Sequence, residues 1–221
     1  MERALVIGDS GGIGAALAEA LAARGARVTG LSRSGDGLDL RDPVAIERVM
    51  GGVEGPFDAV LIATGILAPQ GGGPEKALAA LEAGAMAEVM QVNAIGPALI
   101  LRHMPRLLPR RGRSVLGVLS ARVGSIGDNR LGGWHSYRAS KAALNQIVRG
   151  TAIEIGRSHR EAVVAALHPG TVETDFTASY SPSHGKLSPQ EVAGRLLGVL
   201  DRLTPGETGR FWDHEGREVP W

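Results

Sequence analysis

"VIGDSGGIGAALAEALAARG", residues 6–25, runs from a short apolar segment into a glycine-rich turn and straight on into a helical pattern. The three glycines at 8, 12 and 14 have separate uses at such a junction. Gly8 can make the tight turn, Gly12 lets backbone approach a pyrophosphate, and Gly14 lets the helix pack closely on the strand while its N-terminal amides face the anion. Ser10 and Ile13 belong to the same turn and join the candidate dinucleotide-binding residues. The spacing is G-x-x-x-G-x-G rather than G-x-G-x-x-G, and a glycine turn without a ligand would look the same. The remainder of the chain has to discriminate.

Working outward, apolar runs at Ala4 to Ile7, Arg27 to Leu31, Asp58 to Ala63, Ser114 to Leu119 and Ala162 to Leu167 alternate with segments of helical period, Ile13 to Ala23 and Ser140 to Ile155. Strand, helix, strand in repetition predicts an α/β fold, a doubly wound parallel sheet with helices on both faces. Helix starts are marked by Asp42 before Pro43 and by Ser188-Pro189-Gln190-Glu191, a capping box with proline in first position. The stretch "APQGGGPE", residues 68–75, reads as a surface excursion, and no interior linker or repeat emerges. Residues 1–221 are therefore expected to form one domain.

Composition narrows the function classes. With 43% apolar and 21% charged residues the chain can bury a substantial core, and a formal charge of +1 argues against nucleic acid as a partner. Gly at 32 of 221 residues is about twice the usual ~7%, spread over many short turns. There is no cysteine, which fits a reducing cytoplasm. The N-terminus holds neither a signal peptide nor a membrane span, so a soluble cytoplasmic protein is expected. The six histidines are far apart without metal-binding spacing, and no metal site is expected. The arginine-rich segment 102–113 reads as a solvated helix end and loop.

The second strand ends in Ser32 and Arg33, where an Asp or Glu would accept the ribose hydroxyls of NAD. An arginine there favours a 2'-phosphate, so NADP, with NADPH preferred over NADH, is the expected cofactor. Further on, "YRASK", residues 137–141, places one of only two tyrosines four residues before one of three lysines. One helical turn separates them, as in any solvated pair on a helix face.

Gly8, Gly12, Ile13 and Gly14, Asn93 in "VNAIG", Tyr137 and Lys141 in "YRASK", and "HPGTVET" from His168 together resemble the short-chain dehydrogenase/reductase family across nearly the whole chain. "SARVGSIGDNRLGGWHSYRASKAALN" and the terminal "GRFWDHEGREVPW" resemble its C-factor and sniffer-type carbonyl reductase branch. The resemblance implies a single-domain Rossmann fold of about seven strands, a bound nicotinamide dinucleotide, and hydride transfer between NADP(H) and a small-molecule carbonyl or alcohol substrate. It also implies a homodimer or homotetramer, paired through the helix carrying Tyr137.

A free phenol titrates near ~10, so Tyr137 needs help to exchange a proton near neutral pH, and the charge of Lys141 can supply it. By resemblance Lys141 also holds the nicotinamide ribose and Asn93 sits in a proton relay. Asp39 and Leu40 would contact adenine, and Pro169, Gly170, Val172 and Thr174 would line the nicotinamide. Two departures stand out. The loop usually reading Asn-Asn-Ala-Gly is Ile62-Ala63-Thr64-Gly65 here, with Ala63, Thr64 and Gly65 as the residues at the cofactor. Ala121 occupies the position of the substrate-orienting serine. Strand alternation turns Ser120 away if Ala121 faces the nicotinamide, so Ser125, beyond the strand, is the favoured replacement donor. His135 is a candidate pocket residue, and Phe176 to Leu187 is expected to form a lid. The alternative function is a dinucleotide-binding signalling or sensor protein with little turnover.

Overall fold

The computed structural model describes residues 1–177 and 185–221, so the middle of the expected lid, residues 178–184, lies outside the described residues. Among the described residues, six parallel strands form one sheet in the order β2-β1-β3-β4-β5-β6. They are β1 Arg3–Ile7, β2 Arg27–Leu31, β3 Ala59–Ile62, β4 Ser114–Leu119, β5 Ala162–His168 and β6 Arg210–Asp213. The helices are α1 Gly12–Ala23, α2 Arg33–Asp36, α3 Pro43–Gly51, α4 Ala83–Met90, α5 Gly96–Leu101, α6 Met104–Leu107, α7 His135–Gly156 and α8 Pro189–Arg202.

The alternation of side chains along each strand builds two cores. On one face Leu5, Ile7, Val60, Ile62, Leu116 and Val118 meet Ile46 and Met50 of α3, Ile100 of α5 and Leu144 and Val148 of α7. On the other, Ala4, Val6, Leu61, Val115 and Leu167 meet Leu17 and Leu21 of α1 and Leu196, Leu197 and Leu200 of α8. Both faces are covered, which is why these strands read as continuous apolar runs. The helix starts follow the side chains available: Asp42 accepts from the Val44 amide at 2.9 Å, and Ser188 accepts from the Glu191 amide at 3.2 Å. The second half of the box expected at α8 is not made, because Glu191 pairs with Arg195 at 2.7 Å.

Among the described residues one strand fewer than about seven is present, and the reason is local. After β2 the chain spends its residues on the single turn α2 and on Gly37, with φ 69°. Leu38 and Leu40 then bury themselves in the core, so no further strand pairs beyond β2. At the opposite edge β6 pairs with β5, His168 opposite Asp213. The first helix-to-helix segment also departs from simple helix: Gln91–Ile95 forms a π turn between α4 and α5 and carries Asn93 inward. Taken as one helix, Ala83–Leu101 has the length and apolarity to cross a membrane, with 44% of that stretch buried in the fold.

Candidate active site

The order β2-β1-β3 means that the chain reverses its winding direction at β1, and a crevice opens at the carboxyl ends of the strands there. Its floor is the glycine turn. Gly8 has φ 93° and donates its amide to the Leu31 carbonyl at 2.7 Å. A Cβ at Gly14 would overlap the Gly8 carbonyl, and one at Gly12 would lie 2.6 Å from Thr174 Cγ2. The cradle is thus closed to side chains and open to a ligand's backbone contacts.

A groove of about 480 Å³ runs along this turn, lined by Ser10, Gly12, Ile13, Ala63, Thr64, Gly65, Tyr137, Lys141, Pro169, Gly170, Val172 and Thr174 among others. Gly8 and Gly14 support it from beneath. Ser32, Arg33, Asp39 and Leu40 do not line it. Ser32 caps α2, accepting from the Gly35 amide at 3.2 Å, and Arg33 is exposed at the start of that turn. Asp39 accepts from the Arg41 amide, and Leu40 is buried with its carbonyl on Gln91 at 3.0 Å. The expected adenine contacts therefore have their side chains committed elsewhere.

Helix α7 holds the tyrosine and lysine on its buried face. Tyr137 is 6% exposed and Lys141 3%, with the Lys141 ammonium 5.9 Å from the centre of the Tyr137 ring. Burial pushes the phenol well above its ordinary range and lowers the ammonium to about 8, because desolvation disfavours each charged form. Near neutral pH the phenol keeps its proton and most of the lysine stays charged. Lys141 Nζ donates to the Leu119 carbonyl at 3.1 Å. Asn93, fully buried, is bonded twice to Ile66: its Oδ1 accepts from the Ile66 amide and its Nδ2 donates to the Ile66 carbonyl, both at 2.8 Å. Nδ2 also donates to Ser140 at 3.1 Å. A Cβ at Gly65 would lie 3.2 Å from Asn93 Oδ1 and 3.4 Å from Lys141 Nζ, so all three converge on one loop.

A second cavity of about 660 Å³ continues from the groove, sharing Ala121, Tyr137, His168, Gly170, Phe176 and Thr177 with it. Ala121 does face this space; Ser120 lines the groove beside it, but its hydroxyl donates to Asn145 at 2.6 Å. Ser125 corrects the expectation. It is buried, its hydroxyl accepts from the Asp128 amide at 3.1 Å, and it lines neither space. The chain turns inward at residues 125–128 to hold its own loop. His135 does not line the cleft; Trp134 does, in the left-handed region at φ 50°.

Trp134, Glu75 and His168 have no site role assigned from the sequence, and Phe176 only that of the first residue of the expected lid. Trp134 and Phe176 flank Tyr137 at 6.2 and 6.0 Å between ring centres. Glu75, in the expected surface excursion, accepts from the amide and hydroxyl of Ser136 and pins the start of α7. His168 lines both spaces with its Nδ1 unpartnered. Desolvation, then the neighbouring His214 and Arg122, lowers it to about 4. Asp9 and Thr64 each keep a buried oxygen without a protein partner near the glycine turn. The arginines of segment 102–113 include two that cap backbone: Arg106 donates to the Met50 and Val53 carbonyls, and Arg113 to those of Leu200, Asp201 and Leu203.

A family model described as enoyl-(acyl carrier protein) reductase matches residues 7–201. The chain is similar to the C-signal protein of Myxococcus xanthus, 38% identical over 171 residues that make up 76% of this chain and 94% of that one. It is also similar to 1-hydroxy-2-glutathionyl-2-methyl-3-butene dehydrogenase of Rhodococcus, 36% identical over 132 residues, 60% of this chain and 57% of that protein's length. Among solved structures, the NADPH-bound carbonyl reductase from chicken fatty liver superposes with a TM-score of 0.85 at 25% identity, covering 100% of this chain and 99% of that one.

Proposed function

The chain belongs to the short-chain dehydrogenase/reductase family of oxidoreductases, and from that premise we propose that it is an NADP(H)-preferring carbonyl reductase or alcohol dehydrogenase. One observation carries the reading: Tyr137 stands where the glycine groove and the second cavity meet, one helical turn from Lys141. The groove suits a dinucleotide because its floor admits no side chain, and because Thr64 on its wall has a buried hydroxyl without a protein partner. The NADPH in the chicken carbonyl reductase supports NADP(H) here, and Arg33, exposed where β2 ends, is the cation for a 2'-phosphate.

When bound, the nicotinamide supplies or accepts the hydride. The proton is this chain's task. Held protonated by burial, the Tyr137 phenol gives its proton to a carbonyl oxygen as negative charge develops there, and the nearby ammonium of Lys141 stabilises the phenolate left behind. Asn93 fixes Ile66 and Gly65 beside Lys141, the path by which the proton is replaced. With Ala121 in place of a serine and both nearby serines committed elsewhere, substrate oxygen relies on Tyr137. We place the protein in the cytoplasm as a homodimer or homotetramer paired through α7, where Ile153 lies 51% exposed.

The test is NADPH oxidation across a panel of aldehydes and ketones. Tyr137→Phe should cut kcat on any accepted carbonyl by at least the ~10²-fold typical of a lost acid/base group, while NADPH still binds. Wild-type turnover in that variant would sink the mechanism. Tight NADPH binding with no carbonyl reduced would favour the second reading, a C-signal-like protein that uses the groove without turnover.

A further inference from the structure

The second cavity carries an unusual charge balance. Its walls hold three guanidinium groups, Arg122, Arg130 and Arg138, against a single carboxylate, Asp128. That carboxylate is taken: Arg122 Nε donates to it at 2.6 Å. Arg122 also lies 4.0 Å from Asp213. Neither Arg130 nor Arg138 has a carboxylate within 4.0 Å among the described residues.

Arg138 is held as a fixed fork. Its Nε donates to the carbonyls of Gly132 at 3.1 Å and Gly133 at 2.9 Å, and its Nη1 to that of Val123 at 3.2 Å. Those bonds orient the guanidinium plane and, among the described residues, leave the Nη2 hydrogens unused. The side chain is half-buried, and desolvation lowers its pKa from the usual value. A partly desolvated cation with only neutral acceptors is costly, and an anion offsets that cost. A loop anchor alone would need the Nε and Nη1 bonds and nothing more.

Resting on the carbonyl reductase reading above, we infer that this cavity selects substrates that carry a carboxylate apart from the reacting carbonyl, with Arg138 as the anchor and Arg130 as a second cation. Arg138 follows Tyr137 on α7, so the reacting oxygen and the anion share one helix turn. Trp134, Leu67, Leu131 and Phe176 supply apolar wall between them, which suits a compact aromatic or short aliphatic body. The planar fork matches a carboxylate with two parallel bonds.

The experiment compares 4-carboxybenzaldehyde with its neutral methyl ester, using the whole protein and NADPH. The acid is expected to exceed the ester in kcat/KM by about tenfold or more, the scale of one charge-assisted bond. Arg138→Gln should collapse that ratio, and Arg130→Gln, at an exposed position that cannot endanger folding, should reduce it by a smaller factor. In parallel, equilibrium binding of terephthalate, which has no carbonyl to reduce, should weaken about tenfold in Arg138→Gln and weaken with added salt. Equal acid and ester kinetics, a ratio indifferent to both arginines, or terephthalate affinity unchanged in Arg138→Gln would overturn the inference. Terephthalate binding that depends on Arg138 without any aldehyde turnover would keep the anion site and reject the catalytic reading instead.

Discussion

Around Gly12 the groove is built of backbone; around Arg138 the cleft is built of side chains from loops and the start of α7. The groove's shape follows from positions where a Cβ cannot exist, and from strand ends held in parallel register on both sides of β1. The cleft's shape follows from Trp134, Phe176 and three arginines, Arg122 and Arg130 from the connection between β4 and α7 and Arg138 from the first turns of α7. The two meet at Tyr137, Ala121 and His168. The difference implies that substitutions in the groove should act on every dinucleotide alike and on the fold itself, whereas those in the cleft should act on which substrate is taken.

The sharpest break is expected from Gly14→Ala. The new methyl overlaps the backbone carbonyl of Gly8, so strand and helix must separate, and overpacking against backbone costs about 3 kcal/mol or more. Thermal melting should fall by several degrees and NADPH binding should be lost with it; an unchanged melting temperature would show that the turn is not rigid.

His168 tests the junction next. Its pKa in the folded protein is about 4 against an ordinary 6.5, so between those values the unfolded chain binds more protons and stability falls as pH drops from 6.5 toward 4. Allowing for the ring's open side toward the cleft, the loss is roughly 2 kcal/mol. Urea denaturation at pH 7 and 4.5 should show His168→Gln losing less stability on acidification than the wild type. Equal losses would mean that the ring titrates normally.

The smallest effect lies outside the groove's lining, just past the end of β2. Arg33→Ala should shrink an NADPH-over-NADH preference of about tenfold, or ~1.4 kcal/mol, towards unity in fluorescence titrations. An unchanged preference would assign the 2'-phosphate to another group.

Legibility in the sequence follows the same division. The glycine turn, the first five strands and the spacing of the α7 pair were readable because strand alternation, helical spacing and glycine's missing Cβ act over a few neighbouring residues. That no strand pairs beyond β2 among the described residues was not, since it depends on how α2 and the buried Leu38 and Leu40 use the residues after β2. Nor was β6, a short strand that pairs with β5 across the chain. Ser125 was readable as a serine past a strand end, but where its hydroxyl points depended on the Asp128 amide.

By itself the sequence determined a doubly wound sheet, a glycine turn at Gly8 to Gly14 between strand and helix, and the one-turn spacing of Tyr137 and Lys141, because these rest on local backbone geometry and short periodicities. Only the tertiary structure decided that Ala121 faces the cleft with no serine behind it, that His168 joins both compartments, and that Arg138 is fixed without a carboxylate. Each of those depends on residues far apart in the chain whose side chains become neighbours only when the loops close over the strand ends.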